Sequence, residues 1–272
     1  MGIACARRLG RVGPVLLADF DEGRLAAALG SLEDEGIEIE GIRCDVSIAT
    51  DTRALADALR ERGTLGALVH TAGLSPMMAP AQRIYEVNLV GTARITDAFL
   101  PLAESASVCV CIASMAGHSG EQTTSPEVDE ILDTPLESDL IARLAAARPD
   151  LEPGNSGLAY QLSKWGVQRL VRRAARDWAR RGARIVSLSP GIIDTPMGQF
   201  ENERQPMMKE IAENTPLGRM GTADEIASVA AFLCSRDASY VTGVDWLVDG
   251  GATHGFRTAL GDGRAINTAR GL

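Results

Sequence analysis

The chain has 272 residues, 45% of them hydrophobic, enough for one domain to bury a core without disulfide or metal staples. Its 27 basic and 36 acidic residues leave a net charge of −9 and a pI near 5.0, which argues against a nucleic-acid partner. No apolar run approaches the ~18–20 residues that span a bilayer, and the opening Met1-Gly2-Ile3-Ala4-Cys5-Ala6-Arg7-Arg8 lacks the apolar core of a signal peptide, so no membrane partner and a cytoplasmic location are expected.

In chain order, Gly2 to Gly10 reads as a short helix ending in glycine. Val15 to Ala18 reads as a buried strand closed by Asp19, followed by a helix from Glu22 to Leu29. The alternation repeats. Strand Ile37 to Arg43 precedes helix Ala49 to Arg62, strand Ala67 to His70 precedes helix Ile84 to Leu102, and strand Ser107 to Ala113 precedes helix Leu158 to Arg181. Strand Arg184 to Leu188, a methionine-rich helix pair over Met197 to Glu213, helix Ala223 to Cys234 and strand Val244 to Val248 follow. Near-continuous apolar strands alternating with helices imply an α/β fold with a parallel sheet covered on both faces. Ligands of such sheets lie beyond the carboxyl ends of the strands, where Asp19, Asp45, Gly73, Ser114 and Pro190-Gly191 all fall. The five cysteines, Cys5, Cys44, Cys109, Cys111 and Cys234, are scattered without metal-ligand spacing and read as reduced packing residues, so no metal is expected.

The stretch Tyr160-Gln-Leu-Ser-Lys164 carries the clearest chemistry. It opens an apolar-periodic helix, and residues four apart share a helix face. A fixed ammonium beside a phenol favours the phenolate and lowers its pKa from ~10, which suits Tyr160 to proton transfer near neutrality.

Leu68-Val-His-Thr-Ala72-Gly73, Val87-Asn88, Ile112-Ala-Ser114-Met-Ala-Gly117, Tyr160-x-x-x-Lys164, Ser189-Pro190-Gly191-Ile-Ile193-Asp-Thr195 and Thr242-Gly243 through Gly251 occur in one order over residues 2 to 251. This ordered set resembles the short-chain dehydrogenase/reductase family in its single-domain branch. The resemblance implies a Rossmann-like doubly wound parallel sheet spanning residues 1–272 as one dinucleotide-binding and catalytic domain. Met1-Gly2-Ile3-Ala4 resembles the tail of the family's glycine-rich turn, with Gly2 its last glycine, so the family's first strand and earlier glycines are expected to be missing from the chain. Loss of a mid-sheet strand would part its neighbours by roughly 9.5 Å instead of ~4.8 Å, and a start downstream of the native one is the favoured explanation.

The resemblance also distributes roles. Tyr160 would be acid and base, Lys164 would tune it and bind the nicotinamide ribose, Ser114 would hold the substrate oxygen, and Asn88 would hold a water joining Lys164 to solvent. Asp19 would accept from both ribose hydroxyls or else cap the next helix. Because Phe20 follows it and no basic residue comes after it until Arg24, NAD is favoured over NADP. Asp45 and Val46 would contact adenine, with helix capping an equal alternative. Ala72 and Gly73 would let the backbone pass close to the cofactor. Pro190 and Gly191 would turn beside the nicotinamide, and Ile193 and Thr195 would meet its carboxamide. His70 and Thr71 depart from the family's usual Asn-Asn, and His70 reads as structural.

Between Ser114 and Tyr160 lie 45 residues. Residues 118–157 hold nine acidic residues against two arginines, most of the chain's excess charge. Ser125-Pro126 and the capping box Thr134-Pro135-Leu136-Glu137 predict two short helices, the second with Leu136, Leu140, Ile141 and Leu144 on one face. The helix from Tyr160 carries Arg169, Arg172, Arg173, Arg176, Arg180 and Arg181; the acidic insertion is expected to lie over or beside that surface or to roof the substrate mouth, altering assembly, or else the two are unrelated solvated faces, an equal alternative. The tail from Thr253 to Leu272 shows no period.

The expected function is NAD-dependent interconversion of a secondary alcohol and a ketone in a homodimer or homotetramer. By resemblance the substrate is a hydroxysteroid, terpenoid or other bulky apolar alcohol. A non-catalytic binding or assembly protein and an NAD-using lyase or epimerase are the alternatives.

Overall fold

The computed structural model describes residues 1–150, 155–199 and 211–255. Strands β1 (Val15–Asp19), β2 (Ile39–Arg43), β3 (Ala67–His70), β4 (Val108–Ile112), β5 (Arg184–Pro190) and β8 (Asp245–Val248) alternate with helices, and every strand pairing is parallel. Two short strands, β6 (Ile193–Asp194) and β7 (Gly221–Thr222), pair beside them. The interleaved helices are α1 (Gly2–Leu9), α2 (Glu22–Asp34), α3 (Ala49–Arg62), α4 (Ala81–Tyr85), α5 (Gly91–Phe99), α6 (Met115–Thr123), α7 (Pro126–Leu132), α8 (Leu140–Ala147), α9 (Ser156–Arg180) and α10 (Ala223–Cys234).

The hydrogen-bonded order is β3-β4-β5-β8 in one sheet and β1-β2 in another. No strand pairing joins β1 to β3 among the described residues. Burial follows the division. All of β4 is buried with apolar residues on both faces, and β5 is buried after Arg184 although it turns Ser187 and Ser189 to one face; β1 and β3 hold no fully buried residue except His70. One core cluster joins β4, β5 and the inner faces of α5, α7, α8 and α9, and a second joins the opposite sheet face to α1 and α10. The sheet is thus covered on both sides, as apolar strands require.

Several expected boundaries move. The helix read as Ile84 to Leu102 is three pieces: α4, a π-helical turn over Glu86–Val90 and α5, closed by a 3-10 turn at Leu100–Leu102. The Thr134 capping box does not form, because the Thr134 hydroxyl donates to the carbonyl of Ile131 and α8 starts later, at Leu140. Leu136 is accordingly half exposed, while Leu140 and Leu144 are buried. The Ser125 start is present, its hydroxyl accepting from the Val128 amide. A third helix, α6, springs directly from Ser114 and was not expected. Most of the helix pair read over Met197 to Glu213 and the tail beyond residue 255 lie outside the described residues.

Acidic α7 seats on basic α9. Arg169 forms a bidentate pair with Asp133 at 2.8 and 2.7 Å and reaches Asp129 at 2.8 Å; Arg173 adds 3.0 Å to Asp133, and the Trp165 indole donates to Asp129 at 2.8 Å. Half-buried charges meet in fork geometry here, which resists water better than an open surface pair.

Candidate active site

The site forms at the carboxyl end of β4, where α9 crosses it. Tyr160 and Lys164 lie one turn apart on α9, with the Lys164 ammonium 5.9 Å from the centre of the Tyr160 ring. The lysine is 5% exposed, and its Nζ donates to the carbonyl of Ile112, the last residue of β4, at 3.0 Å. Burial pulls its pKa down to about 8, since a charge far from water is costly to hold.

Asn88 sits in the π turn with no exposed surface. Its Oδ1 accepts from the Leu74 amide at 2.8 Å, and its Nδ2 donates to the Leu74 carbonyl at 3.0 Å and to Ser163 Oγ at 3.3 Å. Ser163 in turn donates to the Tyr160 carbonyl, so the turn is stitched to α9. A mid-helix asparagine is explained by this pinning of the loop after β3. π turns of this kind recur at functional sites. Gly73 lies between: a Cβ there would stand 3.3 Å from Asn88 Oδ1 and 3.4 Å from Lys164 Nζ. Asn88, Gly73 and Lys164 therefore converge.

Ser114 is nearly buried and caps α6, its Oγ accepting from the Ala116 amide at 3.1 Å. Accepting that bond leaves the hydroxyl proton for another acceptor. Helix α6 then crosses α9 closely, because Gly117 and Gly120 present no side chain: a Cβ on Gly120 would stand 2.5 Å from the Gln161 carbonyl oxygen. Two glycines three apart after the serine were the unread signal for this crossing.

The other expected residues lie at or just beyond the carboxyl ends of β1, β2, β3 and β5, or at the start of α1. Asp19 ends β1, and its carboxylate accepts from the Asp21 amide at 2.9 Å and from Arg24 at 3.1 Å; Arg24 also lies over the Phe20 ring. The helix cap is Asp21, not Asp19. Asp45 is engaged by Ser47 and by Arg83 at 2.9 Å; burial works against its charge, but these bonds outweigh it and hold its pKa below the usual carboxylate range. It does not cap α3, whose N-cap Ile48 makes no side-chain bond. Val46 packs against Gly91, where a Cβ would meet it at 2.7 Å. Ala72 is exposed. Gly2 and Ile3 open α1, which has no side-chain cap, and a Cβ on Gly2 would touch the Thr71 hydroxyl at 2.8 Å. The Gly191 amide bonds to Val248, Pro190 and Ile193 are buried, and Thr195 accepts from the Gly198 amide. His70 is buried beside Lys164; burial, then the lysine charge, push its pKa down to about 3, and its Nε2 has no partner. A base held neutral and enclosed matches a structural part. Among the described residues no cluster could hold a metal, all five cysteines are free thiols, and no helix is long and apolar enough to cross a membrane.

Residues 1–126 match the family model described as short chain dehydrogenase, and residues 145–253 match that described as enoyl-(acyl carrier protein) reductase. The short-chain dehydrogenase/reductase bsc3 of Alternaria brassicicola is 35% identical over 254 residues, which cover 93% of this chain and 92% of that protein. The chain belongs to the short-chain dehydrogenase/reductase family. Within that family, the human dehydrogenase/reductase SDR family member 2, mitochondrial, is 28% identical, over 93% of this chain and 82% of its own. Among solved structures, a 7α-hydroxysteroid dehydrogenase complexed with NADH and 7-oxo glycochenodeoxycholic acid superposes with TM-score 0.71 at 25% identity, covering 92% of this chain and 90% of that one. An actinorhodin polyketide ketoreductase with NADPH gives 0.72 at 25% identity, covering 92% of each chain. The fold is the family's Rossmann-like single domain, and the chain is an oxidoreductase of a family that uses nicotinamide cofactors.

Proposed function

We propose that the chain interconverts a secondary alcohol and a ketone, with NAD as the preferred cofactor. The observation that carries this reading is the buried Lys164 ammonium, held by Ile112 and facing Tyr160 from one helical turn away. The residues present fit a dinucleotide: an acidic group ends β1, the first turn of α1 has no side-chain cap, and Gly73 leaves open the space between Asn88 and Lys164 that a side chain would fill. When bound, the nicotinamide supplies or accepts the hydride.

In the reductive direction the Ser114 hydroxyl donates a hydrogen bond to the substrate oxygen. Tyr160 delivers its phenolic proton to that oxygen, and in oxidation the phenolate takes it back. The Lys164 ammonium stabilises the phenolate and binds the nicotinamide ribose, and Asn88 holds the water that connects Lys164 to solvent. General acid–base help of this sort contributes ~10²–10⁴ in rate. Asp19 would take the adenosine ribose, Asp45 and Val46 would border the adenine, Gly2, Ile3, Ala72 and Gly73 would line the diphosphate, and Pro190, Gly191, Ile193 and Thr195 would border the nicotinamide.

A second reading of the cofactor rests on Arg24. Its guanidinium meets the Asp19 carboxylate at 3.1 Å and stacks over Phe20, and a cation beside the proposed ribose-binding carboxylate would favour some use of NADP. A bulky alcohol is the proposed substrate. Support comes from the exposed Met77 and Met78 in the loop leaving Gly73, and from the hydroxysteroid dehydrogenase among the similar structures. A homodimer or homotetramer is the proposed assembly, with Trp165 and Arg169 already covered by α7 and Arg173 exposed beside it.

Reduction of a ketone with NADH deuterated at the transferring carbon tests the reaction. The account expects deuterium on the carbinol carbon of the product; a product without it, or none from any ketone, counts against it.

A further inference from the structure

Beside Ser114, α6, α9, β5 and β8 enclose a polar cluster that the proposed reaction does not use. Its centre is Asp245, a carboxylate with only 4% of its side chain exposed. Ser187 and Ser189 donate to one carboxylate oxygen at 2.6 and 2.8 Å. Gln168 Nε2 and His118 Nε2 approach the other at 3.3 and 2.9 Å. No lysine or arginine pairs with Asp245 among the described residues, so these donors, with His118 as the one group able to bring charge, compensate it. A buried carboxylate demands such saturation.

Gln168 lies four residues beyond Lys164 and eight beyond Tyr160, on the same face of α9. It is fully buried. Its amide nitrogen meets Ser189 Oγ at 2.9 Å, Asp245 at 3.3 Å and the backbone carbonyl of Ser114 at 3.4 Å. The amide cannot be reversed, because an oxygen in that place would face a carboxylate and a carbonyl. Its own carbonyl oxygen has no partner. A methionine would fill the same volume without stranding an acceptor, so whatever the glutamine contributes comes through its nitrogen. The approach to α6 is tight as well: a Cβ on Gly117 would stand 2.7 Å from that nitrogen.

Helix α9 thus holds the end of β4 at two carbonyls two residues apart, Ile112 through Lys164 and Ser114 through Gln168. His118, one turn into α6, ties the same helix to Asp245. We propose that Gln168 is a positioning residue for Ser114, with Asp245 as its anchor: together they fix the start of α6, and so the serine hydroxyl, against Tyr160. The inference rests on the catalytic reading of Ser114 given above.

Gln168→Met is the test. With NADH and cyclohexanone or a 3-ketosteroid as probe, kcat is expected to fall about ten- to a hundredfold, the usual cost of a displaced catalytic group. The KM for NADH should stay unchanged. Because Gln168 acts through Ser114, the loss should vanish in a Ser114→Ala background, where the double variant matches Ser114→Ala alone. Hydrogen exchange gives a reading independent of turnover: the amides of Ala116 and Gly117, held by Ser114, should lose protection in Gln168→Met while those of β4 keep theirs. Wild-type kcat, losses that multiply with Ser114→Ala, or unchanged protection at Ala116 and Gly117 would overturn the proposal. A wild-type protein that reduces no ketone counts instead against the proposed reaction, and the exchange measurement then decides the strut alone.

Discussion

Lys164 reaches across from α9 to hold the backbone carbonyl of Ile112 at 3.0 Å, and in doing so buries an ammonium with no carboxylate bound to it among the described residues. Its folded pKa is drawn to about 8, against 10.5 for an unperturbed lysine. The sign follows from which state binds the proton more readily. The unfolded chain does, so the penalty for burying the charge is complete below pH 8 and is relieved as pH rises from there towards 10.5. Lys164→Met has no such group. The melting temperature of the cofactor-free wild type should therefore gain on that of the variant between pH 8 and 10, and a difference that stays flat would contradict the burial.

The proposed ribose site assigns cofactor choice to two side chains. On that proposal Asp19→Ser removes a carboxylate that would repel a 2′-phosphate and takes the Asp19 partner from Arg24. The ratio of NADPH to NADH affinity should rise at least tenfold, about 1.4 kcal/mol. Arg24→Ala should move it the other way. Fluorescence titration of both cofactors against both variants checks this; ratios that do not change would remove these residues from the ribose site.

Most of the polar contacts that seat α7 on α9 come from one guanidinium, Arg169. Arg169→Met leaves Asp129 and Asp133 half-buried with fewer donors, and charged hydrogen bonds of this kind are worth ~1–3 kcal/mol in the fold. Urea denaturation should show a loss of that size, smaller when Asp133→Asn is already present, since the two residues share the interaction. Equal losses in both backgrounds would mean that the pair contributes nothing.

Close passage of α6 over α9 needs glycine at 120. An alanine there would put its Cβ 2.5 Å from a helix carbonyl oxygen that cannot swing aside. Gly120→Ala should cost ~1–3 kcal/mol and lower turnover by displacing Ser114. Gly30→Ala, with nothing within 4 Å of the added carbon, should instead gain ~0.4–1 kcal/mol without touching activity.

The central strands and α9 were readable because their patterns are local. Val108–Ile112 is an unbroken apolar run that burial on both faces requires, and the helix expected from Leu158 to Arg181 is Ser156–Arg180. Helix α6 escaped notice because Met-Ala-Gly-His-Ser-Gly has poor helix propensity; contact with α9 and the Ser114 cap sustain it. The Thr134 box misled for the opposite reason, a good local signal outvoted when Leu140 and Leu144 found the core one turn later. The π turn at Asn88 depends on bonds to Leu74, fourteen residues away, which no window of helical periodicity contains. Asp245 opens the strand Asp245–Val248, and such an aspartate could have been read as an unusual buried carboxylate. Its partners Gln168, Ser187, Ser189 and His118 come together only in three dimensions.

The account stands most directly on Tyr160. Removing only its hydroxyl, as Tyr160→Phe, should abolish NADH-dependent ketone reduction while the NADH dissociation constant changes less than about threefold, under 1 kcal/mol. Turnover retained within about tenfold of wild type would contradict the assignment of the proton to this phenol.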